Sequence, residues 1–318
     1  MNTYTRSLSS PAKAASIGTA ADNASTQSIA LAQQRYKPLK ATLFTMIRPL
    51  LRILFQLNGL LLLLAILALT ACASWLTAHD PLDMAGMPLL RPWQDAAHWL
   101  GTDSMGRDVW AGLLYGARTS LLIGVGAAAI SLSVGMTVGL CAGYFGGWVE
   151  QGLNRLTALF QTIPAFLLVI VLVTIYRPTL STIILAIGLA SWPEIARLTR
   201  AECRRIKALE FIQAARCAGF SHRHIMIREI LPNALPSIIV SSSILIAHAI
   251  LMESGLAFLG LSDPNVASWG AMISSGREQL SSAWYLTAIP GVAIAFTVLA
   301  FNHLGDQLND RFNPRQRI

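Results

Sequence analysis

The sequence predicts an all-α membrane protein with six transmembrane helices and both termini on the cytoplasmic side. Three observations carry that expectation. Of 318 residues, 54% are hydrophobic and only 13% charged, against roughly 25% charged in a soluble domain, and mean hydropathy is +0.53. Several windows approach or exceed the ~18 apolar residues that mark a membrane span, and spans read at 53–75, 119–143, 157–176, 178–196, 236–258 and 285–304. With the N-terminus inside, nineteen of the 24 Lys and Arg fall in inside segments, and Arg91, Arg107, Arg118, Arg177 and Arg277 fall outside. That asymmetry follows the positive-inside rule. A net charge of +8 also suits nucleic-acid binding, but its alternation with apolar spans argues against it.

Residues 1–40 form a polar tail, rich in Ala, Ser and Thr up to about residue 35, with Asp22 as the one acid there. Such a composition buries too little apolar surface to order itself, and it also suits a transit peptide. Residues 41–318 read as the membrane domain. Lys37, Lys40, Arg48 and Arg52 make a basic approach to the first span, suited to anionic headgroups. Leu69-Thr-Ala-Cys72 matches a lipoprotein cleavage box, but the apolar run begins some fifty residues in, too late for a signal leader. Cys72, Cys141, Cys203 and Cys217 show no metal-ligand or CxxC spacing, so they read as free thiols.

An outside segment over 76–118 ends in Gly101-Thr-Asp-Ser-Met-Gly-Arg-Asp108, a turn by its Gly and Asp density. Asp103, Arg107 and Asp108 read as local ion pairs or a cap for the next helix. In the second span Ala127, Ser131, Gly135, Gly139 and Gly143 recur every fourth residue. A small-residue stripe lets two backbones approach in a bilayer, so this helix is expected to pack inside the bundle. Tyr176-Arg-Pro-Thr179 predicts a tight hairpin between spans three and four. Pro164 sits early in span three beside Gln161 and Thr162, where a proline frees a carbonyl for polar neighbours. Trp192-Pro-Glu194 is expected at the interfacial end of span four.

Span five contains Ser242, His248 and Glu253. Ionisable groups are costly in a membrane and usually face a cavity or the bundle interior. These three are the pathway candidates, each with a hydrogen-bonded structural role as the alternative. Between spans five and six, Trp269 is expected as an interfacial anchor. Asn302, His303 and Asp306 lie near the inner face, where polar residues need no special role.

No GxxxxGK[ST] phosphate loop occurs, nor HExxH, nor GxSxG. The sequence therefore offers no catalytic motif, and His248 with Glu253 is the one weak pair. What remains is the polar stretch 198–232. It reads as a short helix, a bend at Gly219, and a second short helix, with a proline at the start of the next span. Ser221 is the expected N-cap and Phe220 the expected staple against Ile225. Gly219 permits a left-handed bend. Ala215 and Ala218 give the first helix a face without bulk, suited to a partner's groove.

From about Trp99 to Pro314 the sequence resembles the C-type permease subunits of the oligopeptide/dipeptide/nickel ABC importer family. The matching residues are Gly101-Thr-Asp-x-x-Gly-Arg-Asp108, Leu114-Tyr-Gly-Ala-Arg118 and Gly143-Tyr-Phe-Gly-Gly-Trp148. Further on they are Ala214-Ala-x3-Gly219, Leu231-Pro-Asn-Ala234, Phe258-Leu-Gly-Leu261, Ser268-Trp-Gly270, and Ala300-Phe-Asn302 with Gly305-Asp306. The family often has Glu at Gln213 and a basic residue or His at Glu229, so the details of partner contact differ here.

The resemblance implies an ABC importer type I permease fold in a bacterial inner membrane. It implies no cofactor or metal on this chain, ATP being bound by two cytoplasmic partner subunits. A second homologous permease would complete the pathway, and a periplasmic or lipid-anchored binding protein would deliver the solute. Glu210, Gln213, Ala214, Ala215, Ala218, Gly219, Leu231 and Pro232 are then the ATPase-coupling residues. Peptides are the expected cargo, with nickel, metal chelates, opines or glutathione as alternatives. A passive channel is the alternative from another class, but it gives no reason for a stapled docking loop.

Overall fold

The computed structural model describes residues 59–312 apart from 78 and 85. The tail 1–40, the basic approach, the expected start of the first span at 53 and residues 313–318 lie outside it. Helix α1 (Gly59–Ala71) is uniformly apolar and is followed by the short α2 (Ala73–Leu76).

Helix α3 runs Val109–Phe145. It starts ten residues before the expected span because Asp108 caps it, accepting from the backbone N–H groups of Trp110 and Ala111. Asp103 accepts from the N–H groups of Met105 and Arg107, so these acids do local structural work. All five stripe residues are buried, and they lie against α6 (Leu180–Lys207). A Cβ on Gly135 would sit 2.7 Å from Ile195 Cβ, one on Gly139 2.5 Å from the Ala196 carbonyl, and one on Gly143 2.7 Å from Cys203 Cβ. The partners advance together along both chains, so α3 and α6 run parallel.

The return crossing is α4 (Gly147–Thr162) and α5 (Ala165–Tyr176). The expected single span over 157–176 is corrected here: the two helices meet at 80°. Pro164 lacks an N–H and disfavours helix at Ile163, which is extended at φ −93°, ψ 126°. Span four is corrected as well. Its helix continues through Pro193 to Lys207, and Trp192 is buried edge-on against Phe160 at 5.3 Å instead of lying at an interface. Packing overrides the proline there.

After α7 (Glu210–Cys217) comes a turn His222–His224, a π-turn Ile225–Ile230 and α8 (Leu231–Phe258). These last three form one continuous 37-residue helix, His222–Phe258. The separate second short helix expected before span five is therefore absent. The wider π-turn admits Pro232, which can donate no backbone hydrogen bond, and Asn233 Nδ2 donates to the Glu229 carbonyl at 2.6 Å.

Helix α9 (Trp269–Gly276) lies between α8 and α10 (Tyr285–Phe312). Trp269 is not an interfacial anchor: it is buried, its indole N–H donating to the Leu113 carbonyl at 2.9 Å and its ring lying where a Cβ on Gly116 would meet it at 3.2 Å.

Among the described residues there is no strand, only one isolated bridge, Thr102 with Asp108. Four helices are long and apolar enough to cross a membrane, and a fifth crossing counts if α4–α5 is one bent span. The ends of α3, α6 and α10 and the start of α8 share one end of the bundle, tied by Glu150 with Arg200 at 2.8 Å and Glu202 with Ser237 at 3.1 Å. Arg200, Arg204, Arg205, Lys207, Arg216, Arg223, Arg228 and Arg311 belong to this basic end. Arg177 and Arg277 flank the helices at the other.

Candidate functional site

At the basic end, Arg204, Arg205 and Lys207 occupy the last turn of α6, where cations complement the carbonyl end of the helix. Helix α7 follows with Glu210 in its first turn and Arg216 in its last, again the favourable polarity. It buries Ile212 and Ala215 in an apolar cluster with Leu140, Tyr144, Cys203, Ile206, Ile225, Ile230, Ala234 and Ile238. The ends of α3, α6 and α8 thus clamp α7.

Ala215 is the correction at this site: it faces its own chain instead of presenting a bare surface to a partner. Gln213, Ala214, Ala218 and Gly219 are exposed, as is Glu210. Gln213 Nε2 donates to the Lys207 carbonyl at 3.2 Å.

Gly219 has φ +81° and closes α7. Its N–H bonds the Arg216 carbonyl at 3.0 Å, and the Phe220 N–H bonds Ala215 at 3.2 Å, the paired pattern of a glycine-terminated helix. Ser221 then accepts from the His224 N–H at 3.3 Å. The expected staple is displaced by one residue: Phe220 is half-exposed and stacks on His224 with ring centroids 4.6 Å apart, while Ile225 goes into the core.

Tyr144 fastens this segment to α3. Its hydroxyl is 2.8 Å from His222 Nδ1, its carbonyl accepts from Lys207 Nζ, and its ring lies 5.5 Å from both the Lys207 ammonium and the Arg216 guanidinium. Sequence reasoning passed over Tyr144, whose signal was its place in Gly143-Tyr-Phe-Gly-Gly-Trp148 at a helix end. The result is a clamped wedge in which Phe211 (42% exposed), Phe220 (50%) and Ile227 (59%) remain exposed. At the start of α8, Leu231 packs on the same cluster and Pro232 is exposed.

The pathway candidates separate. Glu253 is buried, with Oε1 accepting from Ser268 Oγ at 2.7 Å while Ser268 also caps α9. It ties α8 to α9 and does not face an open cavity. Ser242 bonds back to the Ile239 carbonyl at 2.6 Å. His248 is exposed on the other side of α8 and lines an open cavity with Glu194, Ile195, Leu198, Ser241, Ile244 and Leu245. Glu194 was not among the expected site residues, because Trp192-Pro-Glu194 was expected at the interfacial end of span four, whereas the helix continues to Lys207.

The bundle defines a class: an all-helical, membrane-spanning subunit. The family described as "Binding-protein-dependent transport system inner membrane component" matches residues 135–318, and this chain belongs to that family. The chain is 35% identical over 256 residues to the glutathione transport system permease protein GsiD of Pectobacterium atrosepticum, covering 80% of this chain and 85% of that one. It is 36% identical over 265 residues to the di/tripeptide transport system permease protein DppC of Pseudomonas aeruginosa, covering 81% and 88%. A chain from inward-facing MetNI methionine ABC transporter crystals matches the fold with TM-score 0.52 and 18% identity, over 64% of this chain and 97% of that chain. The protein is therefore an inner-membrane permease component of an ABC-type importer.

Proposed function

We propose that this chain forms one half of the translocation pathway of an ATP-driven importer for small peptides, and that the 209–231 wedge receives an ATPase. The carrying observation is the wedge itself. Its inner face is packed into the ends of three long helices, while its outer face leaves Phe211, Phe220 and Ile227 exposed. Exposed apolar side chains at the basic end of the bundle support a protein-binding face there. Glu210, Gln213, Ala214, Ala218 and Gly219 contribute to that face. Ala215 and Leu231 pack on its inner side, and Pro232 stands exposed at the start of α8.

ATP binding closes a pair of cytoplasmic ATPases, and a wedge clamped in this way moves as a lever, carrying α3, α6 and α8 with it. The chain has six spans with both termini cytoplasmic, has no nucleotide site of its own, and works with a second homologous permease and a periplasmic or lipid-anchored binding protein. ATP drives the cycle by binding one global state more tightly than the other. The peptide and glutathione transport named for the relatives supports peptide cargo over nickel, metal chelates or opines, glutathione being itself a small peptide.

The test is uptake of labelled dipeptide into proteoliposomes holding both permeases, with loaded binding protein present. Transport is expected only with the ATPases and ATP, and the purified chain alone is expected to show no ATP turnover. Uptake without ATPase would make the protein a channel, and sustained turnover by this polypeptide would overturn the assignment.

A further inference from the structure

The cavity between α6 and α8 is the feature that the coupling wedge leaves unexplained. It measures about 250 Å³ and is lined by Glu194, Ser241 and His248 among Ile195, Leu198, Ile244 and Leu245. Glu194 lies fourteen residues into α6, and His248 ten residues before the end of α8. At ~1.5 Å per residue these positions are about 21 Å and 15 Å from the bundle end opposite the basic one. Both fall inside a ~30 Å hydrocarbon core.

Both side chains are exposed on this subunit. Neither has a hydrogen bond or ion pair among the described residues. Arg197, one turn further along α6, makes no ion pair with Glu194 either. The contrast with Glu253 is direct, since that carboxylate is enclosed and bonded to Ser268. An ionisable side chain at membrane depth is stable only against water, a partner or a passing ligand.

We infer that the Glu194–His248 cavity is a polar subsite of the translocation pathway that takes the ammonium group of an amino-terminated solute. The carboxylate of Glu194 supplies the charge that a desolvated ammonium requires. The imidazole of His248 and the hydroxyl of Ser241 offer further hydrogen bonds. The four aliphatic residues suit a short side chain. This assignment rests on the permease reading and adds to it the residues that meet the cargo.

The experiment uses the complete importer in proteoliposomes, with binding protein saturated by radiolabelled alanyl-alanine. Glu194→Gln keeps the shape and removes the charge. Dipeptide uptake is expected to fall about tenfold, while ATP hydrolysis stimulated by the loaded binding protein stays within twofold. Glu194→Asp is expected to recover part of the uptake. In a cysteine-free background, Glu194→Cys is expected to react with a cationic water-soluble thiol reagent, and more slowly during dipeptide transport. Uptake by Glu194→Gln within twofold of the unmodified rate would overturn the inference. So would loss of the second permease from that variant, which would make Glu194 an interface residue, or an unreactive cysteine at 194. Absence of ATP-dependent uptake in the unmodified complex would instead overturn the peptide-cargo reading on which the inference rests.

Discussion

Gly219 and Gly152 have equally empty surroundings, since a Cβ on either would meet nothing within 4 Å. They differ in backbone. Gly219 stands at φ +81°, whereas Gly152 lies in the interior of α4. A side chain at Gly219 therefore costs about 1–2 kcal/mol of left-handed strain, and a β-branched one more. Alanine at Gly152 is expected to be neutral or stabilising by up to ~1 kcal/mol. Gly219→Val should insert in the membrane normally yet lose most ATP-driven uptake, while Gly152→Ala transports at the unmodified rate. Uptake, with co-purification of the ATPases, checks both. Equal uptake by the two variants would show that the bend carries no coupling.

Residue chemistry was legible here, and side-chain direction was not. Gly219, Asp108 and Ser221 were readable because each acts within a few residues of chain. Glu253 and His248 were equally visible as costly membrane groups. Their five-residue spacing turns them some 140° apart on a helix at 3.6 residues per turn, and what lies on each side is a tertiary fact.

The stripe of α3 is the element that organises the bundle. Gly139 packs so closely that a Cβ would lie 2.5 Å from the Ala196 carbonyl, a backbone atom that cannot rotate away. Gly139→Leu must push α3 and α6 apart, and overpacking of this kind costs about 1–3 kcal/mol or more. A lower melting temperature of the detergent-solubilised subunit is expected. Ser133→Leu on the exposed side of the same helix should leave it unchanged. Equal melting of the two would mean that the stripe does not hold the helices together. Four-residue spacing made this face readable from sequence. The prolines were harder: Pro164 breaks a helix and Pro193 does not, although both fall within expected spans. Burial decides between them, since Pro193 is enclosed and Pro164 is exposed beside an extended Ile163.

For the molecule as a whole, sidedness is the property to test. Gln213 and Ala218 are exposed at the basic end, and Ala96 and Asn265 are exposed in segments away from it. In a cysteine-free background, Ala96→Cys and Asn265→Cys are expected to react in intact cells with a membrane-impermeant thiol reagent. Gln213→Cys and Ala218→Cys should react only after the membrane is opened. The reverse pattern would invert the topology. Gly270, another plausible outside position, is unsuited to this test because a Cβ there would lie 2.8 Å from Ala257 Cβ.

By itself the sequence determined that this is a helical membrane protein, which of its ends is basic, that α3 is an interior helix, and where the wedge bends. Those properties follow from composition, short-range periodicity and backbone chirality, all of which act along the chain. Tertiary structure alone decided that α6 continues through Pro193, that the turn after Gly219 joins α8 as one helix, that Ala215 and Trp269 face inward, and that Glu194 meets His248 at one cavity. Each depends on which surfaces helices far apart in sequence bury together, and burial has no local signature.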